Sequence, residues 1–248
     1  MIGILMYELG IIGGMGPLST VEFMRRIVDY TQAQRDQEHI NMCVLNRSSI
    51  PDRMEYLIAK DGESPLPYIT QCLHQLIDFG VKTIAIPCNT SHVFVDEMVF
   101  PENVNFVNMI EETIIAIKKI FPNKMICVLG TTGTQIAGIY DQYVDIYLDI
   151  SQLFYPEEKE QAFLMEIIYQ LKAGHVDESI NDMFINLLNK IAKSRAETVF
   201  IIACTELSLI NKKLLNGFSY VDALDILAVK AIQACGYNNK NEYLPILL

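Results

Sequence analysis

The chain has few basic residues for its size: 19 Lys and Arg stand against 30 Asp and Glu, which leaves a formal net charge of -11. An acidic surface repels phosphate backbones and anionic lipid headgroups, so neither nucleic acid nor a membrane is expected as a partner. A small anionic substrate is still compatible with this balance, because the local field of a site can oppose the net charge.

Long apolar runs are also missing. No window approaches the roughly 20 apolar residues that a membrane-spanning helix needs. The apolar start "MIGILMYELGIIGG" has neither the basic segment nor the cleavage site of a secretory signal, and it runs into a glycine cluster instead. We therefore expect a cytoplasmic protein.

Cysteine and histidine occur without the spacings of metal or redox sites. The six cysteines include no close pair, and the four histidines form no HExxH pattern. In a chain of this size without a secretory signal, free thiols in a reducing compartment are expected. The sequence therefore predicts no metal site. The cysteines are Cys43, Cys72, Cys88, Cys127, Cys204 and Cys235.

What the chain does have is an alternation of short apolar runs and longer amphipathic stretches. This alternation predicts an α/β fold, in which mainly parallel sheets are flanked by helices. The predicted strands are 9–14, 40–46, 82–88, 104–109, 125–130 and 198–204. The predicted helices are 19–35, 65–79, 110–120, 134–147, 157–173, 177–194 and 222–235.

An internal repeat divides this pattern into two halves. The same spacing separates Gly14 from Gly130 and Cys88 from Cys204, and "TIAIPCNT" (83–90) corresponds to "VFIIACTE" (199–206). A chance match among six cysteines and thirteen glycines is the alternative. We predict two pseudo-symmetric domains, the first made of residues 1–108 plus 218–248 and the second of 109–217. Each carries one cysteine at the carboxyl end of a strand.

The positions of Cys88 and Cys204 favour a chemical role for these two thiols. For the other four cysteines, inert packing is expected. Ligands of open α/β sheets bind beyond the carboxyl ends of the strands. Residues able to start a helix follow both cysteines, and a helix N-terminus lowers the pKa of a thiol. Two thiols across a cleft suit inversion of a stereocentre, in which one removes a proton from carbon and the other delivers a proton to the opposite face. The two sulfurs would lie roughly 7 Å apart.

Five motifs together resemble the aspartate racemase branch of the aspartate/glutamate racemase superfamily. They are "GIIGGMGPLST" (10–20), "NRSSIPDR" (46–53), "PCNTSH" (87–92), "LGTTGT" (129–134) and "ACTEL" (203–207). The glutamate racemase branch would instead carry a "DSG" turn and "CTHYP". Ser19 and Ser208 depart mildly from the motifs. The resemblance implies a cofactor-independent racemase with its active site at the domain interface, Cys88 and Cys204 as acid and base, and a homodimeric assembly.

The resemblance also implies a set of substrate-binding residues. Asn89, Thr90 and Thr205 would bind the α-carboxylate, and Arg53 would bind the side-chain carboxylate of aspartate through two hydrogen bonds. The full set is Met15, Asn46, Arg47, Ser48, Arg53, Asn89, Thr90, Ser91, Thr131, Thr134, Lys172, Thr205 and Glu206.

Several of these positions keep a structural alternative. Arg53 could instead pair with Asp52 or Glu55, and Lys172 could simply favour the end of its helix. Glu206 could tune Cys204 or cap the helix that follows. His92 is expected on a helix face rather than as a base.

The leading functional hypothesis is an aspartate racemase that interconverts L- and D-aspartate without pyridoxal phosphate. Alternatives in the enzyme class are a broader-range racemase that also uses glutamate or neutral amino acids, and a cysteine-dependent isomerase or decarboxylase of the same superfamily. A further alternative is a non-catalytic amino-acid-binding protein on the same fold.

Overall fold

The computed structural model describes residues 7–59, 62–195 and 197–240. In chain order the strands and α-helices are β1 (Leu9–Gly13), α1 (Pro17–Tyr30), β2 (Met42–Asn46), α2 (Arg53–Ala59), α3 (Leu66–Asp78), β3 (Thr83–Ala85), β4 (Asn105–Val107), α4 (Met109–Ile120), β5 (Met125–Gly130), α5 (Thr132–Ile136), α6 (Ile139–Tyr147), β6 (Leu153–Phe154), α7 (Glu158–Lys172), α8 (Glu178–Ser194), β7 (Thr198–Ala203), β8 (Ser219–Asp222) and α9 (Ala223–Ala234). Within these ranges every helix is too short or too polar to span a lipid bilayer.

Two four-stranded sheets organise the molecule. The first has the order β2-β1-β3-β4 and the second the order β6-β5-β7-β8, and all their strand pairs are parallel. The two orders are the same when the second half is numbered from its own first strand. The α/β fold with two mainly parallel sheets flanked by helices is therefore confirmed.

Each of the six predicted strands corresponds to an observed one, and two strands were not predicted. The missed β6 has only two residues, and β8 carries the half-buried sequence "SYVD", so neither offers the continuous apolar run that identifies a buried parallel strand. The central strands β1 and β7 are fully buried along their length, as that pattern predicts.

The helix predictions differ from the structure mainly at glycine, proline and asparagine. The predicted helix 134–147 is two helices, because Gly138 adopts the left-handed conformation (φ 58°) between α5 and α6. The first helix begins at Pro17, since proline is favoured at an N-terminal position, and it ends at Tyr30. Asn108 ends the fourth strand region and caps α4 by accepting from the N–H groups of Ile110 and Glu111. The short helix α2 was not predicted.

The last strand pairs with the second sheet, whereas the last helix packs against both halves. Strand β8 pairs with β7 in the second sheet, although residues 218–248 were predicted as part of the first domain. Helix α9 packs Leu224 into the core that contains Leu9 of the first sheet, and it packs Ile226 into the core that contains Val199 of the second sheet. Residues 219–222 therefore belong with the second sheet.

Candidate active site

A small cavity lies where the carboxyl ends of both sheets meet. The segments after β1, β3, β5 and β7 all contribute to its wall, as does the loop that leads into α2 and the end of α7. The lining residues are Met15, Asp52, Arg53, Met54, Cys88, Asn89, Thr90, Thr131, Lys172, Ala203, Cys204, Thr205 and Glu206. Both predicted catalytic cysteines therefore line one cavity, and each comes from a different half of the molecule.

Backbone and histidine contacts hold the Cys88 wall. Strand β3 ends at Ala85, the Cys88 N–H donates to the Ile86 carbonyl, and a 3-10 helix runs over Thr90–Glu97. His92 on that helix places Nδ1 2.9 Å from the Cys88 carbonyl and accepts from the Met109 N–H at Nε2. Its Nδ1 therefore donates in the neutral ring, and burial lowers the pKa of His92 to about 4. A structural role for His92 fits these contacts.

A carboxylate contacts the Cys204 thiol directly. Cys204 immediately follows β7, is 5% exposed, and donates from Sγ to Glu206 Oε2 over 3.0 Å. Burial, followed by the charge of Glu206 and this hydrogen bond, raises the pKa of Cys204 well above its ordinary value, although Lys172 opposes the shift. The expectation that a helix N-terminus lowers this pKa is therefore wrong. The following 3-10 helix spans only Leu207–Leu209, and Glu206 makes no capping hydrogen bond to it.

Asn89 and three threonines join the two halves beneath the cavity. The Thr90 hydroxyl lies 3.1 Å from that of Thr131 and 3.0 Å from that of Thr134, and all three residues are buried. Asn89 Oδ1 accepts from the Tyr140 hydroxyl at 2.6 Å, which orients the amide. Among the described residues, Asn89 Nδ2 is a buried donor without a hydrogen-bond partner. An unpaired buried donor on a cavity wall is suited to an anionic ligand.

Arg53 presents a second unpaired donor. Its guanidinium donates to the carbonyls of Pro51 and Met15, while Nε has no hydrogen-bond partner in the described part of the chain. Asp52 accepts from the N–H groups of Met54 and Glu55 at the start of α2. No ion pair joins Arg53 to Asp52 or Glu55, which are both described. The buried guanidinium is thus held by neutral carbonyls, and its charge is not neutralised.

Five predicted substrate-binding residues do not line this cavity. Ser48 lines a larger adjoining cavity of about 290 Å³ that shares Asp52, Arg53, Lys172 and Glu206 with the first. Arg47 donates to Gln71 and lies over the Tyr68 ring. The remaining three are Asn46, which is exposed, Ser91, which donates to the Met15 sulfur, and Thr134, which joins the threonine cluster.

Four neighbours of the site were not predicted as site residues. Asp52, Met54 and Ala203 line the cavity, and Met54 accepts at its sulfur from the Gly133 N–H of the second half. The position of Asp52 beside Arg53 was the available signal. Tyr140 lies 51 positions from Asn89, and no sequence pattern connects them. No cluster of three or more potential metal ligands is found in the ranges 7–59, 62–195 and 197–240.

Comparisons with known proteins identify the family of the chain. The model of the Asp/Glu/hydantoin racemase family matches residues 12–231. The chain belongs to this family. It is an amino-acid racemase, which confirms the predicted family resemblance and enzyme class.

Two relatives extend along nearly the whole chain. A broad specificity amino-acid racemase of Bacillus subtilis is 27% identical over 228 residues, which are 90% of this chain and 96% of that protein. The structure of an aspartate racemase from Picrophilus torridus is 30% identical, covers 97% of this chain and 100% of its own, and superposes with a TM-score of 0.85. An aspartate racemase homologue from Pyrococcus horikoshii, 21% identical with a TM-score of 0.71, shares the fold.

Proposed function

We propose that this racemase interconverts L- and D-aspartate by a two-base transfer between Cys88 and Cys204, without pyridoxal phosphate. The observation that carries the proposal is the pair of free thiols on opposite halves of one cavity, beside two unpaired buried donors. The likeness to the Picrophilus aspartate racemase supports the choice of substrate.

In the proposed reaction the proton moves without any change of oxidation state. One thiolate takes the α-proton, and the electron pair of the C–H bond remains on the carbanion next to the α-carboxylate. The opposite thiol then donates its proton to the other face of that carbon, so that one thiol and one thiolate exchange roles. When Cys204 is the base, Glu206 is placed to accept the thiol proton before substrate is deprotonated.

Two regions of the cavity suit the two carboxylates of aspartate. Asn89 Nδ2 and the hydroxyls of Thr90 and Thr131 offer donors to the α-carboxylate, where negative charge accumulates in the transition state. The buried Arg53 guanidinium, with its unpaired Nε, offers a charge-assisted contact to the side-chain carboxylate. The backbone N–H of Thr205 and the exposed Lys172 complete the proposed contacts.

Racemisation in deuterated water tests the proposal. Purified protein without added cofactor is expected to interconvert the two enantiomers of aspartate and to place one deuterium at the α-carbon of the product. A screen of glutamate and neutral amino acids under the same conditions sets the substrate range. Loss of configuration without deuterium incorporation would refute the two-base transfer.

A broader substrate range is the second candidate. The adjoining cavity offers space beyond Arg53, and the Bacillus subtilis relative is described as a broad specificity amino-acid racemase. The variant Arg53→Gln separates the two candidates. If Arg53 binds the second carboxylate, KM for aspartate rises by about tenfold to a hundredfold, while KM for a neutral amino acid changes little. An equal effect on both substrates contradicts that role.

The remaining predictions do not depend on the geometry of the cavity. The alternative of a non-catalytic amino-acid-binding protein is not retained, because the chain belongs to the racemase family. The homodimer and the cytoplasmic location stay predictions from the sequence.

A further inference from the structure

A buried ionic cluster lies outside the cavity and is formed by Arg26, Lys212, Asp222 and Asp225. Arg26 on α1 is 1% exposed, and its Nη1 lies 2.9 Å from Asp222 Oδ2 and 2.7 Å from Asp225 Oδ1. Lys212 pairs with both carboxylates from the other side. Two cations thus balance two anions, while Glu22 on the same helix also accepts from Arg26 Nε.

The ionic cluster holds the segment that follows Cys204. Arg26 Nη2 donates to the Ser208 carbonyl over 2.8 Å, and the Ser208 hydroxyl donates to Asp222 Oδ1 over 2.8 Å. Ser208 is two residues beyond Glu206, whose carboxylate accepts from the Cys204 thiol. With Lys212, the cluster therefore fixes this segment at two points just after the proposed catalytic thiol.

The Met15 segment of the cavity wall leads directly into the same helix. Helix α1 starts at Pro17, directly after Met15 and Gly16, and Met15 lines the cavity and accepts from Arg53 at its carbonyl. A side chain at Gly16 would bring its Cβ to 2.9 Å from Glu206 Oε1, so these two segments are in close contact. Helix α1 is therefore a common support for the Met15 segment and the Cys204 segment.

Stability alone explains such an arrangement poorly. Burial would raise the pKa of Asp222, but Arg26 and Lys212 hold it below its usual range, so the carboxylate stays charged in the interior. Buried ion pairs pay a large desolvation cost and often add no net stability over apolar residues of the same volume. Their hydrogen bonds are strongly directional, however, and the planar fork of arginine fixes its acceptors more tightly than a lysine does.

We propose that the ionic cluster is a positioning device for the Cys204 wall, with Arg26 and Ser208 as positioning residues that set where the Cys204 thiol meets the substrate carbon. The inference rests on the proposed role of Cys204. A displacement of a reacting group by about 1 Å lowers the rate by up to a hundredfold.

The variant Arg26→Lys keeps the charge and removes the fork, and Ser208→Ala removes one hydroxyl donor. For Arg26→Lys we expect a fall in kcat of about tenfold or more with a smaller change in KM. We also expect a change in the ratio of Cys204 to Cys88 alkylation by iodoacetamide, measured by peptide mass spectrometry. Ser208→Ala should change kcat and the alkylation ratio in the same direction as Arg26→Lys does, but by a smaller amount.

Arg35→Lys is the matched control, because it makes the same exchange at an exposed ion pair with Glu38. It should change neither kcat nor the alkylation ratio. The proposal would be overturned if both Arg26→Lys and Ser208→Ala lowered the melting temperature but changed neither kcat nor the alkylation ratio. The ionic cluster would then have a purely structural role. Should Arg26→Lys fail to fold, Ser208→Ala decides alone. If the unmodified enzyme does not racemise aspartate, the proposed function fails, yet the alkylation ratio still tests the positioning role.

Discussion

Each half of the molecule places a cysteine after the equivalent strand of its own sheet, but the residues that surround the two cysteines differ. Cys88 follows β3 and is held through its carbonyl by a buried neutral imidazole. Cys204 follows β7, and its thiol contacts a carboxylate. The common sheet order explains why both cysteines line one cavity. The different neighbours mean that only Cys204 has a carboxylate beside its thiol, and Glu206 favours the thiol form of Cys204.

The difference between the two thiols cannot be detected by comparing kcat/KM in the two directions. Enantiomers have equal free energy in water, so kcat/KM must be equal in the two directions for any racemase, whatever its cysteines do. Differences between the two thiols appear instead in proton exchange that occurs without inversion, in thiol reactivity and in separate kcat values. The predictions below use those quantities.

Removal of either cysteine should have the largest effect. Cys88→Ala and Cys204→Ala should each lower racemisation by about a thousandfold, because each loses one general acid or base. Each variant should still exchange the α-proton of one enantiomer with deuterated water, with retention of configuration, and the two variants should do so for opposite enantiomers. Chiral chromatography with mass detection measures both quantities.

Cys43→Ala is the control for these variants, because this half-buried cysteine of β2 is outside the cavity. It should keep full activity. If both single variants exchanged the same enantiomer, the two thiols could not face opposite sides of the carbon, and the two-base proposal would be abandoned.

Glu206→Gln should sharpen the comparison by removing the charge beside only one thiol. Without the carboxylate, the pKa of Cys204 should fall, since the charge and hydrogen bond of Glu206 raise it after burial does. Alkylation of Cys204 near neutral pH should then be severalfold faster, while that of Cys88 should not change. Rates measured as a function of pH for each cysteine give the shift directly.

The exposed Glu166 on α7 provides a matched exchange, and Glu166→Gln should leave both thiol profiles unchanged. A Cys204 profile that did not move in Glu206→Gln would show that burial alone keeps this thiol protonated. Racemisation by Glu206→Gln is informative as well. We expect it to fall, because the carboxylate placed to take the Cys204 proton is gone.

The sequence predicted the halves and both cysteines because these features repeat along the chain. Spacing located the strand ends, and parallel topology then required Cys88 and Cys204 to lie at the same kind of edge. The contact of Glu206 with Cys204 is local, so the sequence could at least offer it as an alternative to a helix cap.

Features that depend on contacts between segments distant in the chain could not be predicted from the sequence. The sequence could not connect Tyr140 with Asn89 or Ser208 with Arg26, because each pair meets only after the two halves pack together. Arg47 was proposed as a ligand from its motif alone. It follows the edge strand β2, where Gln71 and the Tyr68 ring are its partners.

The last expected effect concerns the stability of the protein, at the Cys88 end. Because the pKa of His92 is lowered from 6.5 to about 4 in the folded protein, the unfolded state binds more protons between these values. The contribution of neutral His92 is therefore complete above pH 6.5 and is lost as the pH falls toward 4, by about 3 kcal/mol in total. Urea unfolding from pH 7 to pH 4.5 should show this loss in the unmodified protein, in addition to any acid effect of the carboxylates.

Replacement of His92 separates its part from the rest. His92→Gln should be less stable at pH 7, since the contacts with the Cys88 carbonyl and the Met109 N–H are disturbed, and its free energy of unfolding should depend less steeply on pH. His74→Gln, at an exposed position of α3, should keep the slope of the unmodified protein. Equal slopes in all three proteins would mean that folding does not shift the pKa of His92. The imidazole at the Cys88 end would then become charged below about pH 6.5, and a permanently neutral ring would no longer distinguish this end from the carboxylate beside Cys204.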